Sequence, residues 1–262
     1  GVTHYMIDEW NPDEEFNVMI FQKRVKEIME DIYNRGKIPI LVGGTGFYIQ
    51  AVLNDIAFTK EKQGDEIRAD LQNLAKEKGA SYLHHELQKV DKESAEAIHP
   101  NNIKRVIRAL EYFQSTGQKF SDHNKEERQK GSPYNFLYLV LTMNREVLYE
   151  RIDKRVDQMM EEGLVKEVKE LLDAGYSRNL VSMQGLGYKE IASALFKECT
   201  MEEAVYRLKR DTRHFAKRQM TWFRRERDVT MIDKDNFLNN HEIVNYIMKL
   251  AAEKGICSCR EG

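Results

Sequence analysis

A short apolar run that opens directly into a glycine-rich turn most constrains what this chain can fold into. Residues 38–42 read Ile-Pro-Ile-Leu-Val and are followed by Gly43-Gly44-Thr45-Gly46 and by a second apolar segment. A short, almost entirely apolar strand is typical of a parallel sheet that is covered on both faces. Glycines permit positive φ angles and close approach to the backbone. The stretch therefore predicts a strand, a tight turn and a helix of an α/β fold.

Two interpretations of this turn stay open. The free N–H groups at the start of a helix attract an anion, and Thr45 is the only residue of the turn with a reactive side chain. A glycine-rich turn is also what close packing in any α/β unit uses. Neither Gly-x-x-x-x-Gly-Lys-Ser/Thr nor Gly-x-Gly-x-x-Gly occurs in the 262 residues. Phosphate binding here would therefore need help from other groups.

The periodicity of apolar residues predicts an α/β core that is interrupted by a helical segment. Further strands are predicted at 135–142 and 229–233, and helices at 11–35 (beginning at Asn11 and Pro12), 146–172 (broken near Gly163), 204–225 and 241–252. Residues 59–132 show polar helical patterns without a convincing strand, and 119–132 is expected to be a loop. We predict a core from 1–58 and 133–256, a mostly helical insertion at 59–132 and a polar tail at 257–262.

Composition excludes some partners and leaves others open. The chain has 41 basic and 43 acidic residues, a net charge of −2, so only local clusters of charge can predict a partner. No apolar run approaches the roughly 20 residues of a membrane span, and the pattern of the first residues leads us to expect no signal peptide. Three cysteines without a metal-ligand spacing predict no metal site and favour a reducing, cytoplasmic setting.

The strongest local charge lies between Val205 and Arg227. This segment carries nine Lys or Arg residues against two acids, and aromatic residues, including Phe215 and Trp222, lie between the charges. Such a pattern suits neutralisation of phosphates combined with stacking of bases. The alternative is a solvated helix face.

Two further basic groups and one glycine-containing loop are candidate sites. Lys104 and Arg108, and nearly Arg105, lie on one helix face, although pairing with Glu111 is an alternative. Arg151 and Arg155 lie one turn apart on the helix after the second strand, from which Arg155 could clamp a diphosphate or simply pair with an acid.

The segment from Ser182 to Glu190 contains two glycines, a glutamine and a tyrosine. We expect a loop in which Gln184 reads a base edge and Tyr188 stacks on a base. A turn that only links two helices is the alternative.

Four of these stretches also resemble the motifs of one family. They are Leu41–Tyr48, His99–Glu111, Met183–Glu190 and Ala216–Arg224, and together they resemble the tRNA dimethylallyltransferase (tRNA isopentenyltransferase) family of bacterial type. The resemblance runs from His4 to about Ile232 in one collinear order.

The resemblance implies a P-loop-kinase-like α/β core and a defined reaction. A dimethylallyl group would pass from dimethylallyl diphosphate to N6 of the adenine 3′-adjacent to the anticodon of tRNA. The implied partners are the tRNA anticodon stem-loop, dimethylallyl diphosphate and Mg²⁺, for which this sequence offers no identifiable ligands, and a monomer is expected.

The resemblance also implies roles for individual residues. Thr45 and Arg155 would be catalytic. The tRNA path would include Thr45, Arg68, Lys104, Arg105, Arg108, Gln184, Gly185, Gly187, Tyr188, Lys189, Lys217, Arg218, Gln219, Trp222 and Arg224.

One departure from the family concerns its first segment. The family begins with a P-loop and an aspartate that serves as general base, and this sequence starts after both. A molecule that began at Gly1 is expected to be inactive, and a non-catalytic RNA-binding fragment is then an alternative. A P-loop nucleoside or nucleotide kinase is the other alternative, because the order of the core elements and the helix with Arg151 and Arg155 suit phosphoryl transfer equally well.

Overall fold

The computed structural model describes residues 1–58 and 64–257, and the chain divides into two units. The first unit comprises Gly1–Ile49 and Tyr134–Gly262, and the second comprises Gln50–Pro133. Residues 59–63, at the expected start of the insertion, and 258–262 of the expected tail lie outside the described residues. The boundaries of core, insertion and tail given above remain a prediction.

Helices dominate both units. In chain order they are α1 Val18–Asn34, α2 Gly46–Leu53, α3 Gly64–Lys78, α4 Ala80–Val90, α5 Lys92–Ala97, α6 Ile103–Thr116, α7 Phe120–Gln129, α8 Arg145–Glu161, α9 Leu164–Asp173, α10 Tyr188–Leu195, α11 Met201–Phe223 and α12 Asn240–Glu253. Short 3₁₀ helices cover Ser182–Gln184 and Lys234–Asn236. In the described ranges, none of the helices combines the length and the apolar character that a bilayer crossing requires.

Two parallel strands form the sheet that the structure describes. β1 is Tyr138–Thr142 and β2 is Val229–Asp233, with Tyr138 opposite Val229 and Thr142 opposite Asp233. The predicted β2 is confirmed at both ends, whereas β1 begins three residues later than predicted. Parallel pairing of strands far apart in sequence is what an α/β unit requires, because a crossover must connect them.

The strand predicted at 38–42 is wrong for the described part of the chain. These residues form no ladder, and the side chains that would have been buried are open, with Ile40 80% and Val42 86% exposed. An apolar run becomes a strand only when a neighbour accepts and donates its backbone hydrogen bonds. Neither β1 nor β2 supplies that partner.

Helix α1 begins later than the sequence predicts. Asn17, not Asn11, is the N-cap, and its side chain accepts hydrogen bonds from the N–H groups of Met19 and Ile20 at 2.9 and 3.1 Å. Asn11 and Glu14 instead close a separate turn, in which the Glu14 N–H donates to the Asn11 carbonyl at 3.1 Å. Both asparagines have capping chemistry, so local sequence alone did not decide between them.

The core of the first unit is built where α8 to α11 meet. It includes Val156 of α8, Val168 of α9, Ile191 of α10 and Leu208 of α11, all of them 2% exposed or less. The predicted break at Gly163 is confirmed, since this glycine has a φ of +105° and separates α8 from α9. Burial of four helix faces in one cluster fixes α11 against α8.

The core of the second unit joins α3 to α7 around apolar residues that include Leu83, Leu87 and Val106. His84 lies beside this core as a structural residue, since its Nε2 lies 2.8 Å from the Ala95 carbonyl and 2.9 Å from the Ile98 carbonyl.

A buried carboxylate explains why α7 is a helix where a loop was predicted. Asp91 is 1% exposed, and Ser94 and Ser121 each donate one backbone and one side-chain hydrogen bond to it, at 2.6–3.0 Å. Ser121 lies in the first turn of α7, beside Phe120, which packs against the core. The prediction of a loop at 119–132 was therefore wrong over Phe120–Gln129, because a contact distant in sequence anchors a polar helix there.

Asp91→Asn is expected to destabilise the second unit by about 2–3 kcal/mol, because the new amide nitrogen cannot accept the backbone and hydroxyl hydrogen bonds that one carboxylate oxygen accepts. Urea unfolding followed by circular dichroism measures the loss. Asp70→Asn, an exposed change on α3, is the matched control and should be nearly neutral.

The same carboxylate predicts a dependence on pH. Burial alone would raise the pKa of Asp91, but the hydrogen bonds from Ser94 and Ser121 outweigh burial and lower the pKa. A lowered pKa stabilises the fold above the unfolded value of about 4 and loses this effect as the pH falls. Asp91→Asn should therefore show a shallower loss of stability in acid, and an unchanged slope would contradict the assignment.

Candidate functional site

The glycine-rich turn is shaped by side chains of α11. A Cβ atom on Gly44 would lie 2.1 Å from Nε2 of Gln219, and one on Gly46 would lie 2.2 Å from both Cδ1 and Nε1 of Trp222. Neither glycine has a positive φ. Of the two properties that glycine offers, positive φ is not used at these two positions, and the close approach of Gln219 and Trp222 is what excludes side chains there.

A hydrogen bond and a ring contact hold α11 to this turn. The Gln219 side-chain amide donates to the Gly44 carbonyl at 2.9 Å. The indole of Trp222 covers Gly46 and meets the ring of Phe47 edge-on, with centroids 6.5 Å apart. Both residues were expected on the tRNA path, and the structure places them against the turn instead of leaving them open.

Thr45 lies between the two covered glycines and is itself exposed. Its carbonyl accepts hydrogen bonds from the N–H groups of Tyr48 and Ile49 at 2.9 and 3.2 Å, so α2 starts directly behind it. The partial positive charge of a helix N-terminus favours an anion at this position. An exposed hydroxyl at the start of a helix, with both neighbours held in place, is a suitable place to bind the oxygen atoms of a phosphate group.

Two of the guanidinium groups of α8 belong to Arg151 and Arg155. Arg155 Nη1 lies 3.2 Å from Glu162 Oε2, and both side chains are more than half exposed. The alternative that Arg155 pairs with an acid is therefore realised, but an exposed ion pair contributes only about 0–1 kcal/mol. A diphosphate could replace Glu162 at little cost. Arg151 contacts the sulfur of Met143 at 3.9 Å.

Helix α11 is also tied to α8 by two ion pairs. Arg213 Nη1 lies 2.6 and 2.8 Å from the two carboxylate oxygens of Asp153, and Lys209 Nζ lies 2.6 Å from Asp157. Asp153 is two residues from Arg155. The helix that contacts the glycine turn thus also braces the helix that carries Arg155.

The positive charge of α11 differs between its two halves. In the first half, Arg207 pairs with Glu203 at 2.7 Å and Arg210 with Asp211 at 2.8 Å. In the second half and just beyond it, no carboxylate of the described residues pairs with the side chains of Lys217, Arg218, Arg224 and Arg225. The predicted basic stretch is therefore neutralised at one end and uncompensated at the other, where a polyanion would be attracted.

The loop predicted around Gln184 is partly helical. Tyr188, Lys189 and Glu190 form the first turn of α10, and the N–H of Gly187, whose φ is +99°, donates to Glu190 at 2.9 Å. The expectation of a free loop is therefore wrong from Tyr188 onward, because a capping contact starts the helix there.

The side chains of this segment already have partners. Gln184 Nε2 donates to the Arg178 carbonyl at 2.7 Å, Lys189 lies 3.4 Å from Glu190, and the Tyr188 hydroxyl donates to Glu167. Burial, and then the Glu167 carboxylate, raise the pKa of Tyr188 to about 12. A base would have to displace these contacts to be read by Gln184 or Tyr188, whereas Gly185 between them is exposed.

The second unit has its own basic surface. Glu111 is 1% exposed, and it pairs with Arg68 at 2.7 Å and with Arg108 at 3.4 Å. These three residues and Lys104 line a cavity of about 560 Å³. Pairing of Arg108 with Glu111, the alternative considered above, is realised, and it holds two half-exposed guanidinium groups side by side.

Sequence reasoning missed two features of these sites. Arg225 has no carboxylate partner in the described ranges, and Glu111 organises the two arginines of the second unit. The sequence Arg224-Arg225 shows two positive charges, but it does not show that neither side chain pairs with a carboxylate. Glu111, three residues after Arg108, was considered only as a neutralising partner.

The described residues do not fit a protein-held metal ion. Among them, no group of three or more His, Cys, Asp or Glu side chains converges as metal ligands. Mg²⁺ prefers carboxylates and the phosphates of a substrate. We therefore assign no residue of this chain to the Mg²⁺ that the resemblance implies.

The chain is similar to known proteins over most of its length. The family model for IPP transferase matches residues 1–226. A tRNA dimethylallyltransferase from Lachnoclostridium phytofermentans is 56% identical over 98% of this chain and 82% of its own length. The chain belongs to the IPP transferase family.

Solved structures support the same fold. The tRNA isopentenylpyrophosphate transferase of Bacillus halodurans is 42% identical, with a TM-score of 0.68 over 97% of this chain and 80% of that one. A eukaryotic dimethylallyltransferase acting on tRNA is 27% identical, with a TM-score of 0.79 over 97% of this chain and 66% of that one. The expected P-loop-kinase-like α/β class is thereby confirmed.

Gly46→Ala is expected to destabilise the first unit by about 1–3 kcal/mol, because the new Cβ would overlap the Trp222 ring and force it to move. Helix propensity alone would make the alanine variant more stable by up to about 1 kcal/mol. A loss of stability therefore identifies the overlap with Trp222 as the dominant effect, and thermal unfolding measures the change in stability. Gly43→Ala is the control, since no atom lies within 4 Å of a Cβ there, and equal effects of the two changes would contradict the packing argument.

Proposed function

We propose that this protein transfers the dimethylallyl group of dimethylallyl diphosphate to N6 of the adenine 3′-adjacent to the anticodon in tRNA. The observation that carries the proposal is exposed Thr45 at the start of α2, held by the same helix that ends in uncompensated cations. Membership in the IPP transferase family supports it. Membership in the family and the unpaired cations at the end of α11 favour this reaction over a small-molecule kinase.

The reaction breaks the allylic C–O bond of the diphosphate and forms a C–N bond to N6. The bonding electrons leave with diphosphate, and N6 loses one proton to a general base, a role we assign to no residue of this sequence. Stabilising the leaving diphosphate lowers the barrier. Thr45, the N–H groups at the start of α2 and the Arg155 guanidinium are the groups we propose for that purpose.

The tRNA must present its adenine outside the base stack. Enzymes that modify a base extrude it and pay a few kcal/mol for unstacking. Contacts to phosphates position an RNA and contacts to base edges specify it. We assign the first role to Lys217, Arg218 and Arg224 in one unit and to Arg68, Lys104, Arg105 and Arg108 in the other.

The segment from Gln184 to Lys189 is our candidate for base contacts, through Gln184, Gly185, Gly187, Tyr188 and Lys189. From the family resemblance, we further propose that the protein binds the anticodon stem-loop, uses Mg²⁺ and acts as a cytoplasmic monomer.

Thr45→Ala is expected to reduce prenyl transfer by about 100-fold, the scale of losing one group that stabilises developing charge. The measurement uses unmodified tRNA and labelled dimethylallyl diphosphate.

Folding and tRNA affinity of Thr45→Ala should stay near normal, because the residue is exposed. Turnover close to that of the unchanged protein would remove Thr45 from the reaction centre. Phosphate transfer from labelled ATP in place of prenyl transfer would support a kinase instead, and tRNA binding without either activity would support an RNA-binding fragment.

Arg218→Ala and Arg224→Ala are each expected to weaken tRNA binding and to reduce its dependence on salt by about one unit of slope, as for the loss of one phosphate contact. Affinities measured at several salt concentrations give the slope. Arg207→Ala is the matched control on the same helix, because Arg207 is already paired with Glu203. A slope that changes equally for Arg207 and Arg218 would reject the proposed path.

A further inference from the structure

We propose that Gln219 and Trp222 are positioning residues for Thr45 and do not contact the RNA. This inference rests on the proposed function, because it takes Thr45 to be part of the reaction centre. It assigns to these two residues a task different from that of Lys217 and Arg218, which precede them on α11.

The first support is how tightly Gln219 fits the residue before Thr45. Its side-chain amide donates to the Gly44 carbonyl at 2.9 Å and occupies the space that a Cβ of Gly44 would need. The amide is part-buried at this contact. The Gln219 amide cannot also bind the edge of a base unless it gives up its hydrogen bond to the Gly44 carbonyl.

The second support is the position of Trp222 on the residue after Thr45. Residues 219 and 222 are three apart, so they share one face of α11, and each covers one neighbour of Thr45. The indole Nε1 is buried and makes no hydrogen bond within the described residues. Shape, not hydrogen bonding, therefore sets the position of this ring on Gly46.

The third support is the division of labour along α11. Lys217 and Arg218 are exposed, whereas Gln219 and Trp222 are half-buried. One side of the helix thus carries free charge and the other side holds the turn. The Arg213–Asp153 pair fixes the same helix to α8, which carries Arg155. A shift of Gln219 would therefore move Thr45 relative to Arg155.

Gln219→Glu tests the proposal most directly. It keeps the size of the side chain but sets a carboxylate against the Gly44 carbonyl. We expect transfer at saturating tRNA to fall at least about tenfold, with the tRNA dissociation constant and its salt slope unchanged. Protonation makes the new carboxyl a donor, so the rate relative to the unchanged protein should recover as the pH falls from about 8 to about 5.

A role in RNA binding predicts the opposite pattern for Gln219→Glu. The tRNA dissociation constant would rise while transfer at saturation stayed normal, and either that result or the absence of recovery at low pH would overturn the proposal. A merely structural role would lower the unfolding temperature and would not separate turnover from affinity.

A double-mutant cycle tests the contact without any need for catalysis. Gly44→Ala should lower the unfolding temperature because of the overlap with Gln219, and Gly44→Ala combined with Gln219→Ala should recover part of that loss. Gly43→Ala is the neutral control. Effects that simply add would show that the two residues are not coupled and would overturn the proposal.

Trp222 itself reports on the turn. The chain has two tryptophans, so Trp10→Phe leaves Trp222 as the sole indole emitter. In that background, Gln219→Glu should shift the emission of Trp222 toward longer wavelengths, and unchanged emission would argue against a shared contact. If Thr45→Ala does not reduce transfer, the proposed function is overturned. If Thr45→Ala does reduce transfer but the effects of Gly44→Ala and Gln219→Ala on stability simply add, only the positioning role is overturned.

Discussion

The arrangement of the first unit depends on a contact made possible by two missing side chains. Gly44 and Gly46 have no Cβ atoms, and the amide of Gln219 and the ring of Trp222 occupy the space left by them. Protein interiors are packed so densely that one added carbon atom changes the packing around it. The exposed position of Thr45 follows from this contact, because its two neighbours are covered and it is not.

Helix α11 carries this contact to the rest of the unit. Leu208 anchors it in the core formed with α8, α9 and α10, Arg213 ties it to α8, and Phe223 meets Tyr138 of β1 edge-on with ring centroids 6.2 Å apart. One element therefore positions the turn and α8 and contacts the sheet. A site assembled from distant segments needs such a common support to keep its groups at fixed distances.

Local sequence was sufficient where periodicity or a glycine decided the structure. Strand β2, the break at Gly163 and the closing helix all follow from patterns within a few residues. It was insufficient where a distant partner decided it. Residues 38–42 have strand composition but no ladder, and Ser121 becomes helical because Asp91, thirty residues earlier, receives its hydrogen bonds. The charge of α11 was visible in the sequence, but its neutralisation in one half required knowledge of where Asp153 and Asp157 lie.

The uneven charge of α11 has a consequence for ionic strength. Lys217, Arg218, Arg224 and Arg225 repel one another, and in the described part of the chain none of the four pairs with a carboxylate. They lie at the end of α11, whose dipole only partly offsets that repulsion. Salt screens the repulsion and so stabilises the free fold, while the same salt weakens attraction to a polyanion. Stability and affinity therefore respond to ionic strength with opposite signs, and a bound polyanion takes the place of salt as the stabiliser of this helix end.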